Sequence, residues 1–262
     1  MDLIAKISKG SKMDQIYISK NRLGMPIGQY VSITPLEAKP RQKGEFKPYF
    51  YNLHNLEPLK LELIEKIFDI AEEVKPENII ITGSFLQKGF RFNDIDILII
   101  KETSEEAGKL QKKIEELTHI RAHVIILSSR TLQDGLSTDP LYSLMLSRCV
   151  SKKRIIFKIK RKIDYKLLDL QLLKSKTLVD NFDILNGEEK YYLTMNMLSI
   201  MLFIRGKKPT KEIVDKYIEG TFHIKLKELK ENIIEKGAFI KRYKEIYKNA
   251  FNAVMENVHE QK

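Results

Sequence analysis

The chain has 262 residues, 43% of them hydrophobic and 31% charged, with a single cysteine and a formal net charge of +11. That length and apolar content allow one large domain or two modest ones. The lone Cys149 excludes an internal disulfide framework and any multi-cysteine metal site, and it reads as a small buried hydrophobe. No stretch approaches the roughly 18 uninterrupted apolar residues of a membrane span. The opening MDLIAKISKGSK has too short an apolar run for a signal peptide, so a cytoplasmic protein is expected.

Along the chain, residues 14–36 (DQIYISKNRLGMPIGQYVSITPL) alternate like strands and are broken by Gly24, Pro26 and Gly28. They predict a short β-hairpin or small β-element. EAKPRQKGEFKPYF follows as a linker or exposed loop. Pro58 opens a helix over LKLELIEKIFDIAEEV, and Pro76 ends it. NIIIT (78–82) is a compact strand that runs into Gly83-Ser84. DIDILII (94–100) is the next strand. Thr103 and Glu106 form a capping box for a helix through SEEAGKLQKKIEEL. RAHVIIL (121–127) is a third strand, and DPLYSLMLSRCV reads as a helix with Pro140 in its first turn. This succession predicts a small mixed sheet with flanking helices.

From about residue 160 every segment keeps a helical period, with breaks at Asn186-Gly187, Gly206 to Pro209, and Gly220. Four to five helices are expected there. Tyr191, Tyr192, Met195, Met197, Met201 and Phe203 sit at core spacing. The expected fold class is therefore α+β, in three parts: an N-terminal β-element and linker (1–50), a sheet domain (51–160) and an all-helical domain (161–262).

Basic charge is concentrated. Residues 1–50 carry nine Lys/Arg against four Asp/Glu, and residues 151–166 carry eight against one. Between them lies an acidic stretch. Two basic flanks favour a polyanion such as nucleic acid or a triphosphate; a solvated lysine-rich surface is the alternative. Lys158, Lys160 and Lys162 alternate with Ile159 and Arg161, so a strand there would present three ammonium groups to a nucleic-acid backbone. Tyr17, Tyr30, Phe46, Tyr49, Phe50 and Tyr51 interleave with lysines and would either stack on single-stranded bases or pack.

The chemistry concentrates in GSFLQKGFRFNDIDILII, residues 83–100. Asp94 and Asp96 lie at i and i+2, so a strand places both carboxylates on one face and turns Ile95 and Ile97 to the other. Two ionised carboxylates so close repel each other, and partial burial sharpens the cost. A divalent cation removes the conflict. Mg²⁺ suits it, since it takes oxygen ligands and is commonly held by one or two carboxylates plus substrate phosphates; Mn²⁺ is the alternative. Upstream, the Gly83-Ser84 turn allows close approach of the backbone to a phosphate. Arg91, three residues before Asp94, either reaches a phosphate or lies on the surface.

The pattern of strand, Gly-Ser, nine residues, Asp-Ile-Asp and apolar strand resembles the signature of the polymerase-beta-type nucleotidyltransferase superfamily, and residues 78–127 resemble its minimal domains. The resemblance implies that Asp94 and Asp96 coordinate Mg²⁺ on the triphosphate of an NTP, and that Gly83 and Ser84 hold the β- and γ-phosphates. It further implies that a substrate hydroxyl attacks the α-phosphorus and pyrophosphate leaves. Active members usually carry a third carboxylate on a later strand. Here that strand is RAHVIIL, with His119, Arg121 and His123 on one face, Ala122 and Val124 on the other, and no acid. His123 is nearest the expected position and could accept the proton, or it is a partly buried strand residue. Asp139 fits a helix N-cap better.

The function expected on this basis is a nucleotidyltransferase with an RNA acceptor, such as a tRNA end. The alternative is a catalytically impaired protein acting as a nucleic-acid-binding or toxin–antitoxin-type module. A protein partner or a homodimer stays open.

Overall fold

The computed structural model describes residues 7–9, 11, 15–18, 27, 47–53, 55–90, 92–102, 107–157 and 159–259. Near the N-terminus, two short strands, β1 (Ile7–Ser8) and β2 (Gln15–Ile16), pair antiparallel. The rest of the expected 14–36 β-element, with Tyr30, Phe46 and Arg91, lies outside the described residues. The same holds for the Thr103/Glu106 capping box and Lys158.

Next come β3 (Tyr49–Tyr51), α1 (Pro58–Ala71), β4 (Asn78–Thr82), β5 (Asp94–Ile100), α2 (Ala107–Thr118), β6 (Arg121–Leu127), α3 (Ser129–Thr138), α4 (Pro140–Leu146) and β7 (Cys149–Ser151). The sheet order is β3-β7-β4-β5-β6. Only β5 and β6 run parallel; the other three pairings are antiparallel. The fold is α+β on a small mixed sheet.

The alternation in β4, β5 and β6 sorts the sheet into two faces. Ile79, Ile81, Ile95, Ile97, Ile99, Ala122 and Val124 pack against Leu63, Ile64, Ile67 and Phe68 of α1 and Leu110 and Ile114 of α2. On the opposite face Ile80, Leu98 and Ile100 pack against Leu132 and Leu136 of α3. Asp94 and Asp96 continue this second face to the open end of the sheet, where α3 gives them no apolar cover.

Three local expectations change. The end of the predicted linker, Tyr49 to Tyr51, is an edge strand, because β7 offers its backbone groups partners. DPLYSLMLSRCV is not one helix: α4 ends at Leu146, the Ser147 hydroxyl donates to the Leu144 carbonyl at 2.7 Å, and Cys149 joins the sheet. The helix α3, preceded by its N-cap Ser128, was not foreseen, since SRTLQDGLST is polar and holds a glycine. As expected, Cys149 is fully buried, and burial pushes its thiol up to about 12.

The C-terminal part forms α5 (Tyr165–Asp180), α6 (Gly187–Ile204), α7 (Lys211–Phe222), α8 (Leu226–Lys230) and α9 (Lys236–His259). Asn186 caps α6 with a full capping box: its side chain accepts from the Glu189 N–H, and Glu189 accepts from the Asn186 N–H. This helix is apolar on nearly every side and packs against α4, α5, α7, α8 and α9. A buried polar thread ties it to its neighbours. Asn196 donates to the Gln171 carbonyl at 2.9 Å and to Ser175 Oγ at 3.0 Å, and the Tyr243 hydroxyl donates to the Ser175 carbonyl at 2.8 Å.

The helical part and the sheet are joined through α4. Leu144 is buried in the helical core, and Asp139 accepts from Gln171 Nε2 at 2.8 Å in a buried bond. On the other side of the joint, the Thr82 hydroxyl donates to the Met145 carbonyl at 2.6 Å. Among the described residues no helix is long and apolar enough to cross a membrane.

Candidate functional site

β4 delivers the chain to Gly83 with φ +84° and ψ −159°, a conformation that other residues rarely adopt. A Cβ built there would lie 2.0 Å from Asp96 Oδ2. The carboxylate of Asp96 therefore occupies the space that any side chain at position 83 would need. Glycine is required both for the backbone angle and for this contact. Ser84 opens a single 3-10 turn (84–86), whose Phe85 and Leu86 are buried and hold it to the core.

Asp96 stands at the centre of the site because register places it between two partners. It lies opposite Thr82 across the antiparallel β4 pairing and opposite His123 across the parallel β6 pairing. His123 Nδ1 is 3.6 Å from Asp96 Oδ1, an ion-pair distance when the imidazole is protonated. The Asp96 side chain is 37% exposed and that of His123 64%. Partial burial raises the Asp96 pKa above the ordinary carboxylate value, Asp94 beside it raises it further, and His123 opposes. The site therefore holds excess negative charge that a cation would relieve.

The loop that leads from Ser84 back to Asp94 is pinned by a lysine. Lys60 of α1 is fully buried. Its ammonium donates to the Gln87 carbonyl and, at 2.6 Å, to the Gly89 carbonyl, and lies 3.1 Å from Glu57 Oε2. Glu57 Oε1 in turn accepts from the Gly89 N–H at 2.6 Å. The rings of Phe85, Phe90 and Phe92 surround the ammonium at 5.7, 5.3 and 5.6 Å. The sequence carries a signal for this: Lys60 falls on the stripe of Ile64, Ile67 and Ala71, where a helix of this kind should be apolar.

A cleft of about 630 Å³ opens beside the pair. Its inner wall is Thr82, Gly83, Ser84, Asp96, Leu98 and Ile125, α4 supplies Leu141, Tyr142 and Met145, and the far wall carries Arg148, Tyr192, Met195 and Lys211. Two residues expected in the helical core thus face the cleft instead. Tyr192 is 52% exposed, and Met195 is half-buried. Tyr191, Met197, Met201 and Phe203 are buried as expected. Burial holds the Lys211 ammonium below its ordinary range, with Asp215 opposing. Arg148 and Lys211 carry no motif, and only the tertiary fold brings them to the site.

Asp139 also borders the cleft, but both of its oxygens are engaged. One accepts the Leu141 N–H at 2.8 Å as the N-cap of α4, and the other accepts from Gln171. Burial raises its pKa, and these bonds act in the opposite direction.

His119 is not on the strand with Arg121 and His123. It sits in a left-handed turn with φ 54° before β6 begins. The described residues of 152–164 form no strand, so Lys160 and Lys162 do not share a pleated face, although both are exposed. Arg161 between them turns inward and donates to the Phe203 carbonyl at 2.7 Å.

Among the described residues no group of three or more His, Cys, Asp or Glu side chains is disposed to hold a metal. Two carboxylates on one strand face fit a cation that takes its remaining ligands from water and a substrate's phosphates. They do not make a cage for a permanently held ion. Comparison with known proteins gives no significant match: no family model, no curated protein and no solved structure aligns with the chain.

Proposed function

We propose that the protein is a metal-dependent nucleotidyltransferase that moves a nucleoside monophosphate from an NTP to a hydroxyl, with RNA as the acceptor class. The observation that carries this reading is the Gly83–Asp96 contact. A glycine turn opens directly onto a pair of same-face carboxylates at the mouth of a nucleotide-sized cleft. Asp94 and Asp96 would hold Mg²⁺, which neutralises charge developing on the phosphates. Gly83 and Ser84 offer the backbone N–H groups and hydroxyl that hold phosphate oxygens in place. His123, beside Asp96, takes the proton as the acceptor oxygen bonds to the α-phosphorus. The α–β bridging bond breaks and pyrophosphate leaves with its electron pair. The protein's share of the rate is positioning and fixed electrostatics. The RNA acceptor is favoured by the two basic segments flanking the site in sequence, including exposed Lys160 and Lys162.

The test is pyrophosphate release and label transfer from each of the four NTPs, with Mg²⁺ and total RNA. Release with at least one NTP is expected, and Asp94→Ala and Asp96→Ala should each reduce it by at least about 10³-fold. A second reading, an RNA-binding module without turnover, is favoured by the lack of a third carboxylate beside the pair among the described residues. Inertness toward every NTP, together with RNA binding that weakens steeply with salt, would select it.

A further inference from the structure

The far wall of the cleft holds two cations that no carboxylate neutralises among the described residues. Arg148, at the α4–β7 junction, and Lys211, the first residue of α7, border the same cleft as Gly83, Ser84 and Asp96, and they meet again in a small adjoining pocket. The acids nearest to them are committed elsewhere. Asp215 accepts the Tyr191 hydroxyl at 2.7 Å. Glu188 is paired with Lys230 at 3.2 Å. Glu212 borders the small pocket but is exposed to solvent. The Lys211 backbone N–H donates to Ser147 Oγ at 3.2 Å, which fixes the start of α7 against the end of α4. Desolvating a lysine beside an arginine is unfavourable without an anion. The opposite wall carries excess negative charge, so the cleft is polarised from one side to the other.

We infer that Arg148 and Lys211 form a polyphosphate subsite, contributed by α4, β7 and the helical part, that takes the terminal phosphates of the nucleotide and then the departing pyrophosphate. The inference rests on the nucleotidyltransferase reading for the ligand's identity, although the charge arrangement stands without it. A triphosphate laid across the cleft would have its metal-bridged phosphates at Asp94 and Asp96 and its tail at the two cations. Arg148 suits bidentate contact with phosphate oxygens, and Lys211 acts as a point charge. The helical part then becomes one wall of the nucleotide site, in addition to any role in acceptor binding.

The experiment measures inorganic tripolyphosphate binding by titration calorimetry, with EDTA present so that the acid pair plays no part through a metal. The wild-type chain should bind. Arg148→Met and Lys211→Met, which keep the apolar stem, should each weaken binding by roughly tenfold or more, while Lys211→Arg should stay near wild type. Asp96→Asn should bind as well or better, because a repelling charge is removed. In turnover assays the two Met variants should raise KM for the NTP. No binding by the wild type, or equal binding by the Met variants, overturns the subsite. Unchanged KM in the Met variants of an active enzyme overturns the subsite and leaves the transferase reading standing. Tripolyphosphate binding that depends on both cations in a chain that turns over no NTP establishes the subsite and removes the transferase reading.

Discussion

At the scale of single residues, the centre of this protein is a carboxylate placed at a cost. Asp96 lies against the bare backbone of Gly83, half out of water and beside Asp94. Its folded-state pKa is raised, chiefly by burial and then by Asp94. A raised carboxylate pKa means that the folded chain binds the proton more tightly than the unfolded chain. Stability from this group is therefore greatest at low pH and falls as pH rises through the folded pKa. Asp96→Asn removes that loss. Without divalent cations the variant should melt above wild type near pH 7, and the difference should shrink on acidification below the carboxylate range. Differential scanning calorimetry in EDTA at several pH values reads this directly. An Asn variant that melts lower at neutral pH would show that the Asp96 charge is not under strain. Two readings of individual residues changed for one physical reason. His119 and His123 share a parity in sequence, yet β6 starts only at Arg121, so the alternation does not extend back to His119.

At the scale of elements, the loop between Ser84 and Asp94 is held by the far side of α1. Lys60 satisfies two loop carbonyls and faces Glu57 and three aromatic rings. Replacement by Met keeps the stem but strands the Gln87 and Gly89 carbonyls and leaves Glu57 without its cation. The expected cost is about 3 kcal/mol, by the rule that removing one member of a buried pair costs more than the pair is worth. Urea denaturation of Lys60→Met should show it as a lower midpoint with an unchanged slope. A change below about 0.5 kcal/mol would mean that water replaces the ammonium. Elements with strong periods, such as α1, β4, β5 and α6, were legible in the sequence. The short β3 and β7 were not, because a three-residue strand exists only through its neighbours' hydrogen bonds.

At the scale of the whole molecule, the helical part and the sheet part share more than a linker. Leu144 is buried in the helical core, Asp139 and Gln171 bond across the joint, and the cleft has walls from both parts. Small polar joints permit relative motion, whereas a shared core couples the parts. Unfolding should therefore be a single transition. Far-UV circular dichroism and tyrosine fluorescence should give coincident urea curves. Gln171→Leu should lower the shared midpoint rather than split it. Separated transitions would show that the two parts fold independently.

The sequence alone determined the strand that carries Asp94 and Asp96, the glycine turn ahead of it, and the helical character of everything beyond about residue 160. These follow from periodicity and local backbone chemistry, which act between residues close in the chain. Tertiary structure alone decided that His123 stands beside Asp96, that Asp96 fills the space above Gly83, and that Tyr192 leaves the core for the cleft. It also brought Arg148 and Lys211 to the wall opposite the acids. Each of these depends on sheet register and on how α4 and α6 pack, contacts between distant segments that local patterning does not encode.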